Sequence, residues 1–273
     1  MSQRNSQAAK TAARERLRQE REREAKRAKA KRQVVVAVSV VAGLAIAGGV
    51  AYGIAQANKP SAWEAAEDAK LVAPANTSGK NGLDVVIGKG GEKTLAVYED
   101  PRCPVCAAFE QSVGETIRKG MEDGKYKVQF VGATFIDKNV PGEGSRNALS
   151  AMGAALNVSP EAFLDFKAAL YSAKFHPEEN TDKFADDDYL IEVANSVDAL
   201  KGNEKFQKDV KDGTFDRWSL EMNKKFNADG EKYGFGGTPS LVMDGKLVTD
   251  SGGQSAPMTV DEFNASINKA LDS

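Results

Sequence analysis

The chain has 273 residues, with 37 Lys or Arg against 39 Asp or Glu for a net charge of −2, and its 41% hydrophobic and 28% charged residues suit a globular body of one large or two small domains. Two cysteines and one histidine exclude a structural disulfide network and fall short of a four-ligand zinc site. The charge is unevenly placed: residues 1–32 hold twelve Lys or Arg and four Glu, net +8, which leaves an acidic body of net −10.

Residues 1–32 read as a basic cytoplasmic segment. Between Arg32 and Lys59 no charged side chain occurs, and Val34 to Ile54 is almost wholly Val, Ala, Leu, Ile and Gly. That is long enough to cross about 30 Å of hydrocarbon at about 1.5 Å per residue. Positive charge resists translocation, so residues 33–57 are expected to form one transmembrane helix, with the amino terminus cytoplasmic and the body extracytoplasmic at the cell membrane. A signal peptide cleaved near Ala55-Gln56-Ala57 is the competing reading, and the length of both the basic and the apolar stretch speaks against it. Residues 58–82, with Pro, Ala, Asn, Ser and Gly and few large apolar residues, read as a linker, and residues 83–273 as the folded domain.

Within that domain, Leu83 to Ile87 and Lys93 to Tyr98 are expected to pair as strands across Gly88-Lys89-Gly90-Gly91. The second strand runs into Cys103-Pro104-Val105-Cys106. Phe109, Val113, Ile117 and Met121 then recur every four residues, which predicts a helix with Cys106 on its buried stripe, Glu110 off it, and Cys103 at its exposed start. Tyr126 to Val131 is the next strand, after an Asp123-Gly124 turn. A helical insert at about 140–230 follows, with Ala148 to Leu156, a helix capped by Ser159 with Pro160 in first position, and Asp186 to Ser196. Phe163, Phe166 and Tyr171 fall at helical spacing and read as core. Ser240 to Met243 and Lys246 to Val248 form a hairpin about Asp244-Gly245, and Thr259-Val260-Asp261-Glu262 has the spacing of a capping box before Phe263, Ile267 and Leu271.

Two thiols at this spacing outside the cytosol, where disulfides persist, point to redox chemistry in which a thiolate is the attacking species. Cys103 at a helix amino terminus lies beside free N–H groups and the positive end of the dipole. Pro104 suits the first helical position because its missing N–H is not needed there. Arg102 adds positive charge, whereas Glu99 and Asp100 oppose it. Val105 offers the thiolate no hydrogen bond. Cys103 is therefore the expected nucleophile and Cys106 its buried resolving partner. His176 is expected on the surface or at a cap, and Asp186-Asp187-Asp188 compensate a helix dipole rather than hold a metal.

The tetrapeptide Cys103-Pro104-Val105-Cys106 after a strand, the helical insert, and Gly237-Thr238-Pro239-Ser240 before a final hairpin and helix resemble the DsbA-like family. The resemblance implies an α/β, thioredoxin-like fold with a helical insertion, here preceded by one transmembrane helix. It implies that Cys103 and Cys106 are catalytic, with Pro104 and Val105 as active-site support. It also implies that Thr238 and Pro239, joined by a cis peptide bond, bind the extended substrate backbone. No cofactor and no metal are implied, and no nucleic acid. The implied partners are exported cysteine-containing proteins and a membrane redox partner, DsbB or a vitamin-K-epoxide-reductase-like quinone enzyme. The implied function is the introduction of disulfides into exported proteins. Thr238 is more like isomerase or reductase relatives, so a disulfide reductase or isomerase fed by a transmembrane donor is the alternative. A non-catalytic tethered binding module is the third reading.

Overall fold

The structure is a computed structural model in which residues 61–273 are described. The expected cytoplasmic segment and transmembrane helix (1–32 and 33–57) lie outside the described residues. Among the described residues no helix is long and apolar enough to cross a membrane.

Five strands form one sheet: β1 (Val85–Ile87), β2 (Thr94–Glu99), β3 (Lys127–Gly132), β4 (Ser240–Met243) and β5 (Lys246–Val248), in the order β1-β3-β2-β4-β5. β2 runs parallel to β3, and the other pairings are antiparallel. The strand β2 is central, and Leu95 through Glu99 are all buried, as a near-continuous apolar run covered on both faces should be. The register sets Val97 opposite Phe130 on one side and Leu241 on the other, so the strand that leads to the cysteines is fixed from both edges. The β4–β5 hairpin forms where expected, with positive φ at both Asp244 (48°) and Gly245 (80°), the backbone that a two-residue hairpin turn needs.

The expected β1–β2 pair does not form, because β3 lies between the two strands. The loop between them carries the chain over the entry to β3. Gly91, at φ 70°, passes so close that a Cβ there would stand 2.6 Å from Tyr126 Cα. The glycines thus mark a crossing rather than a hairpin turn.

The segment read as a linker is folded over its described part. Helix α1 (Ala62–Asp68) buries Trp63 and Ala66, and the Arg146 guanidinium lies 4.9 Å over the Trp63 ring. Further along, Asn76 Nδ2 donates to Leu156 O at 2.8 Å and Trp218 Nε1 to Gly82 O at 2.8 Å. Trp63, Ala66 and Pro74 are buried in this polar, Pro- and Ala-containing stretch, and with these hydrogen bonds they dock the segment.

Helix α2 (Pro104–Glu122) follows the cysteine turn and buries Cys106, Phe109, Val113, Ile117 and Met121 against the sheet. The insertion comprises α3 (Ile136–Asn139), α4 (Gly144–Val158), α5 (Pro160–Tyr171), α6 (Asp187–Ala194), α7 (Glu204–Lys211) and α8 (Asp216–Tyr233). Ala148, Ala151, Ala154 and Ala155 of α4 are all buried, and these small side chains let neighbouring helices approach closely. Ser159 accepts from Ala162 N at 3.0 Å, and Thr259 caps α9 (Val260–Leu271) by accepting from Glu262 N at 3.3 Å. Such caps are worth about 1 kcal/mol each. Phe163, Phe166 and Tyr171 are buried as expected.

Candidate active site

Cys103 is the N-cap of α2 and Pro104 its first residue. The turn before it is closed by Cys103 N donating to Asp100 O at 3.0 Å. Both cysteines are free thiols. They differ in exposure less than the sequence suggests: Cys106 is wholly buried, and Cys103, expected at an exposed helix start, retains only 5%. Ile136, Tyr171 and Ala107 pack around the pair, with Phe135 and Val140 beside them, and the insertion thereby covers the helix start. Pro104 and Val105 are the exposed members of the tetrapeptide.

From the other side comes the loop before β4. The Thr238-Pro239 peptide bond is cis, and the Cys103 thiol donates to Thr238 O at 3.7 Å. The Thr238 hydroxyl is buried beside the pair, with no partner of its own among the neutral groups described, and is free to donate to a thiolate, so it favours the charged form of either sulfur.

The two thiols are pushed in opposite directions. Cys103 is lowered from 9.0 to about 6, chiefly by a hydrogen bond from the Cys106 thiol, against burial, and further by the Cys106 amide, Thr238 and the Val105 amide. Free amides at a helix start stabilise an anion. Cys106 is pushed well above 9.0 by burial and by its position beside Cys103. A value near 6 lies between the roughly 7 and roughly 3.5 known for less and more oxidising Cys-x-x-Cys pairs, in keeping with a valine that gives the thiolate its amide but no side-chain hydrogen bond.

Two clusters of buried charge flank the turn, and sequence reasoning missed both. In the first, the Arg102 guanidinium does not face the thiol as an added positive charge. It is 1% exposed and donates to Asp137 Oδ1 at 2.8 Å, Val140 O at 3.1 Å and Glu179 O at 3.0 Å, with Asp182 at 3.3 Å. Asp100 accepts from Arg102 N, Ser145 Oγ and Ile136 N at 3.0, 2.6 and 3.1 Å. Burial nonetheless raises its carboxyl to about 7, although these three donors pull it down.

In the second cluster, Lys167 Nζ lies 2.9 Å from Glu99 Oε2 and 2.5 Å from Glu110 Oε2. Glu110, expected off the buried stripe, is drawn inward by that ammonium. Burial raises the Glu99 carboxyl while Lys167 opposes it, and Glu110 and Cys103 raise it further. Glu99 Oε1 is buried with no hydrogen-bond partner among the described residues. The readable signal was Lys167 itself, a cation four residues from both Phe163 and Tyr171 on the apolar face of α5.

His176 is not a surface or capping residue. Its ring stacks on Tyr171 at 5.9 Å and meets Phe184 edge-on at 5.9 Å, and burial lowers its pKa. Asp186 caps α6 by accepting from Asp188 N at 2.9 Å, and among the described residues no group of three or more His, Cys, Asp or Glu could hold a metal.

A family profile described as Thioredoxin matches residues 80–269, which takes in both cysteines and the cis proline. The chain belongs to this family. Its fold is that of DsbA-like thiol-disulfide oxidoreductases. Oxidized DsbA of Mycobacterium tuberculosis superposes with a TM-score of 0.55 at 21% identity, covering 70% of this chain and 93% of that one. BdbD of Bacillus subtilis gives 0.53 at 23% identity, covering 76% and 100%. MdbA of Corynebacterium diphtheriae, a thiol-disulfide oxidoreductase, gives 0.50 at 21% identity, covering 70% and 95%. A 108-residue stretch is also 26% identical to the serine/threonine-protein kinase PknE of Mycobacterium tuberculosis, over 39% of this chain. The chain spans only 19% of that kinase's length.

Proposed function

We propose that this DsbA-like protein is a membrane-anchored thiol-disulfide oxidoreductase that introduces disulfides into exported proteins through Cys103 and Cys106. The observation that carries the reading is the asymmetry of the pair, an acid-shifted thiol at a helix start beside a cis proline loop and a buried thiol pushed the other way. The basic head and apolar stretch support an extracytoplasmic domain.

In the oxidising direction a substrate thiolate attacks Cys103 Sγ of the Cys103–Cys106 disulfide. The S–S bond breaks, Cys106 leaves as a thiolate and takes up a proton, and a mixed disulfide joins substrate to Cys103. Cys106 is a poor leaving group at its raised pKa, so a proton held nearby speeds its departure. Glu99, raised by burial and electrostatically coupled to Cys106, is the group suited to hold it. A second substrate thiolate then attacks the substrate sulfur of the mixed disulfide and Cys103 leaves as a thiolate. Its low pKa makes it the better leaving group. Two electrons pass from substrate to the enzyme pair. A membrane redox partner of the DsbB or vitamin-K-epoxide-reductase-like kind, passing electrons to a quinone, would restore the disulfide.

The equilibrium reduction potential of the full-length protein against glutathione tests the direction. A value near −120 mV supports the oxidase, one near −180 mV suits an oxidase or an isomerase, and one below about −250 mV replaces both with a reductase. A Cys103/Cys106 double serine variant that keeps its cellular role would instead point to a binding module.

A further inference from the structure

Arg102 occupies the position next to the nucleophile, yet its guanidinium points away into the helical insertion. It holds two separate segments at once: helix α3 and its C-cap, through Asp137 Oδ1 and Val140 O, and residues 179–182, through Glu179 O and Asp182. The connection from α3 to α4 is built around it. A Cβ on Gly142 would stand 2.6 Å from Arg102 Nη1, and one on Gly144 would stand 3.1 Å from Arg102 Cδ and 2.6 Å from Asp182 Oδ1. Asp182 in turn accepts from the Glu143 and Gly144 amides at 2.8 and 3.0 Å. Asp137 accepts from the Ser145 and Arg146 amides at 2.9 and 3.1 Å, which ties the same contact to the start of α4. Both carboxylates that face the guanidinium are therefore anchored by backbone, and neither can follow it if the turn shifts.

We infer that Arg102 is a positioning residue for Cys103: by locking the turn that ends in the nucleophile to two segments of the insertion, it holds the sulfur against the amino end of α2 and the Thr238 loop. The inference rests on Cys103 being the nucleophile. Arg102 brings a positive charge to the turn, but Asp137 and Asp182 at 2.8 and 3.3 Å neutralise it, so geometry rather than charge is what it supplies. The planar fork that satisfies several acceptors in fixed directions is specific to arginine, and lysine does not reproduce it.

The test is the pH profile of carboxamidomethylation of Cys103 by iodoacetamide in reduced full-length protein, with the modified peptide located by mass. The variants are Arg102→Lys, which keeps the charge, and Gly142→Ala, which crowds the guanidinium and changes no charge. If the lock positions the sulfur, both variants lose thiolate at acid pH. At about pH 5 the rate should fall about tenfold for each unit the thiol rises, and the loss should shrink steadily toward alkaline pH. A profile superimposable on wild type in both variants would overturn the inference, as would one lowered by the same factor at every pH, which is what a partly misfolded population gives. A wild-type profile without an acid-shifted inflection would overturn the reading of Cys103 itself, and so is distinguishable from failure of the Arg102 lock.

Discussion

The two buried charge clusters beside the cysteine turn are built from the same kinds of residue and finished differently. Around Arg102, two carboxylates and two carbonyls meet the guanidinium, and the carboxylates are themselves anchored by backbone amides. Around Lys167, one ammonium is shared by two carboxylates, and Glu99 keeps an oxygen without a partner. Each cluster leaves one buried atom without a hydrogen-bond partner among the described residues, Arg102 Nε in the first and Glu99 Oε1 in the second; a cation fixed by four anchored acceptors specifies one arrangement, whereas a buried carboxyl short of donors is held near the point of taking a proton. The first cluster suits positioning and the second suits proton traffic.

The largest expected effect tests what both clusters serve. Cys103→Ser should reduce substrate oxidation to the uncatalysed rate, whereas Cys106→Ser should retain the nucleophile and accumulate mixed disulfides, read on non-reducing gels. Equal loss without trapped adducts would remove the proposed division of labour.

Asp137→Asn should cost about 3–5 kcal/mol, the penalty of leaving a buried guanidinium short of its counter-charge, seen as a lower denaturant midpoint at unchanged slope. Loss of less than about 1 kcal/mol would mean that the Arg102 cluster does not fix the turn.

An intermediate effect comes from Cys103. Its folded pKa of about 6 lies below the unfolded value of 9.0, so its contribution to the reduced protein is present above pH 9 and is lost as the pH falls through 6. It amounts to about 1.4 kcal/mol at pH 7. Asp100, raised to about 7 from 3.8, acts with the opposite sign: its contribution is present below about pH 4 and is lost as the pH rises through 7. Both redox forms share Asp100, so the difference between reduced and oxidised stability isolates the thiol. That difference should grow in favour of the reduced form from pH 6 to 9, and a flat difference would contradict the shift.

The smallest effect is expected at Glu99→Gln. Replacing a carboxyl that burial already drives toward its neutral form, with Glu110 left paired to Lys167, should cost less stability than Asp137→Asn, while slowing the step in which Cys106 leaves. A loss comparable to that of Asp137→Asn would erase the distinction between the clusters.

What the sequence made legible follows from how local each signal is. The Pro104 helix start after Cys103 and the Asp244-Gly245 hairpin depend on residues within a few positions of one another, and the structure has both; the cis Thr238-Pro239 bond, which came from the family resemblance, is also present, while the burial of Cys103 was not read. The partner of β1 depends on a crossing over Tyr126, and Gly88-Lys89-Gly90-Gly91 looks the same whether the chain turns back or crosses over. The destination of Arg102 was equally illegible, because Asp137, Glu179 and Asp182 are 35 to 80 positions away and meet it only through the insertion. Lys167 was readable as an anomaly on an apolar face, although its acceptors on β2 and α2 were not. His176, expected on the surface or at a cap as a lone histidine in a helical insert, is held instead by two aromatic rings.

The central claim is that the pair is chemically divided, and a pH titration of the far-ultraviolet thiolate absorbance of the reduced full-length protein tests it most directly. The account predicts one thiolate appearing at about pH 6, absent from Cys103→Ser, with the second thiol still protonated at pH 9. Two thiols titrating together at about pH 8 to 9, as free cysteines do, would contradict it.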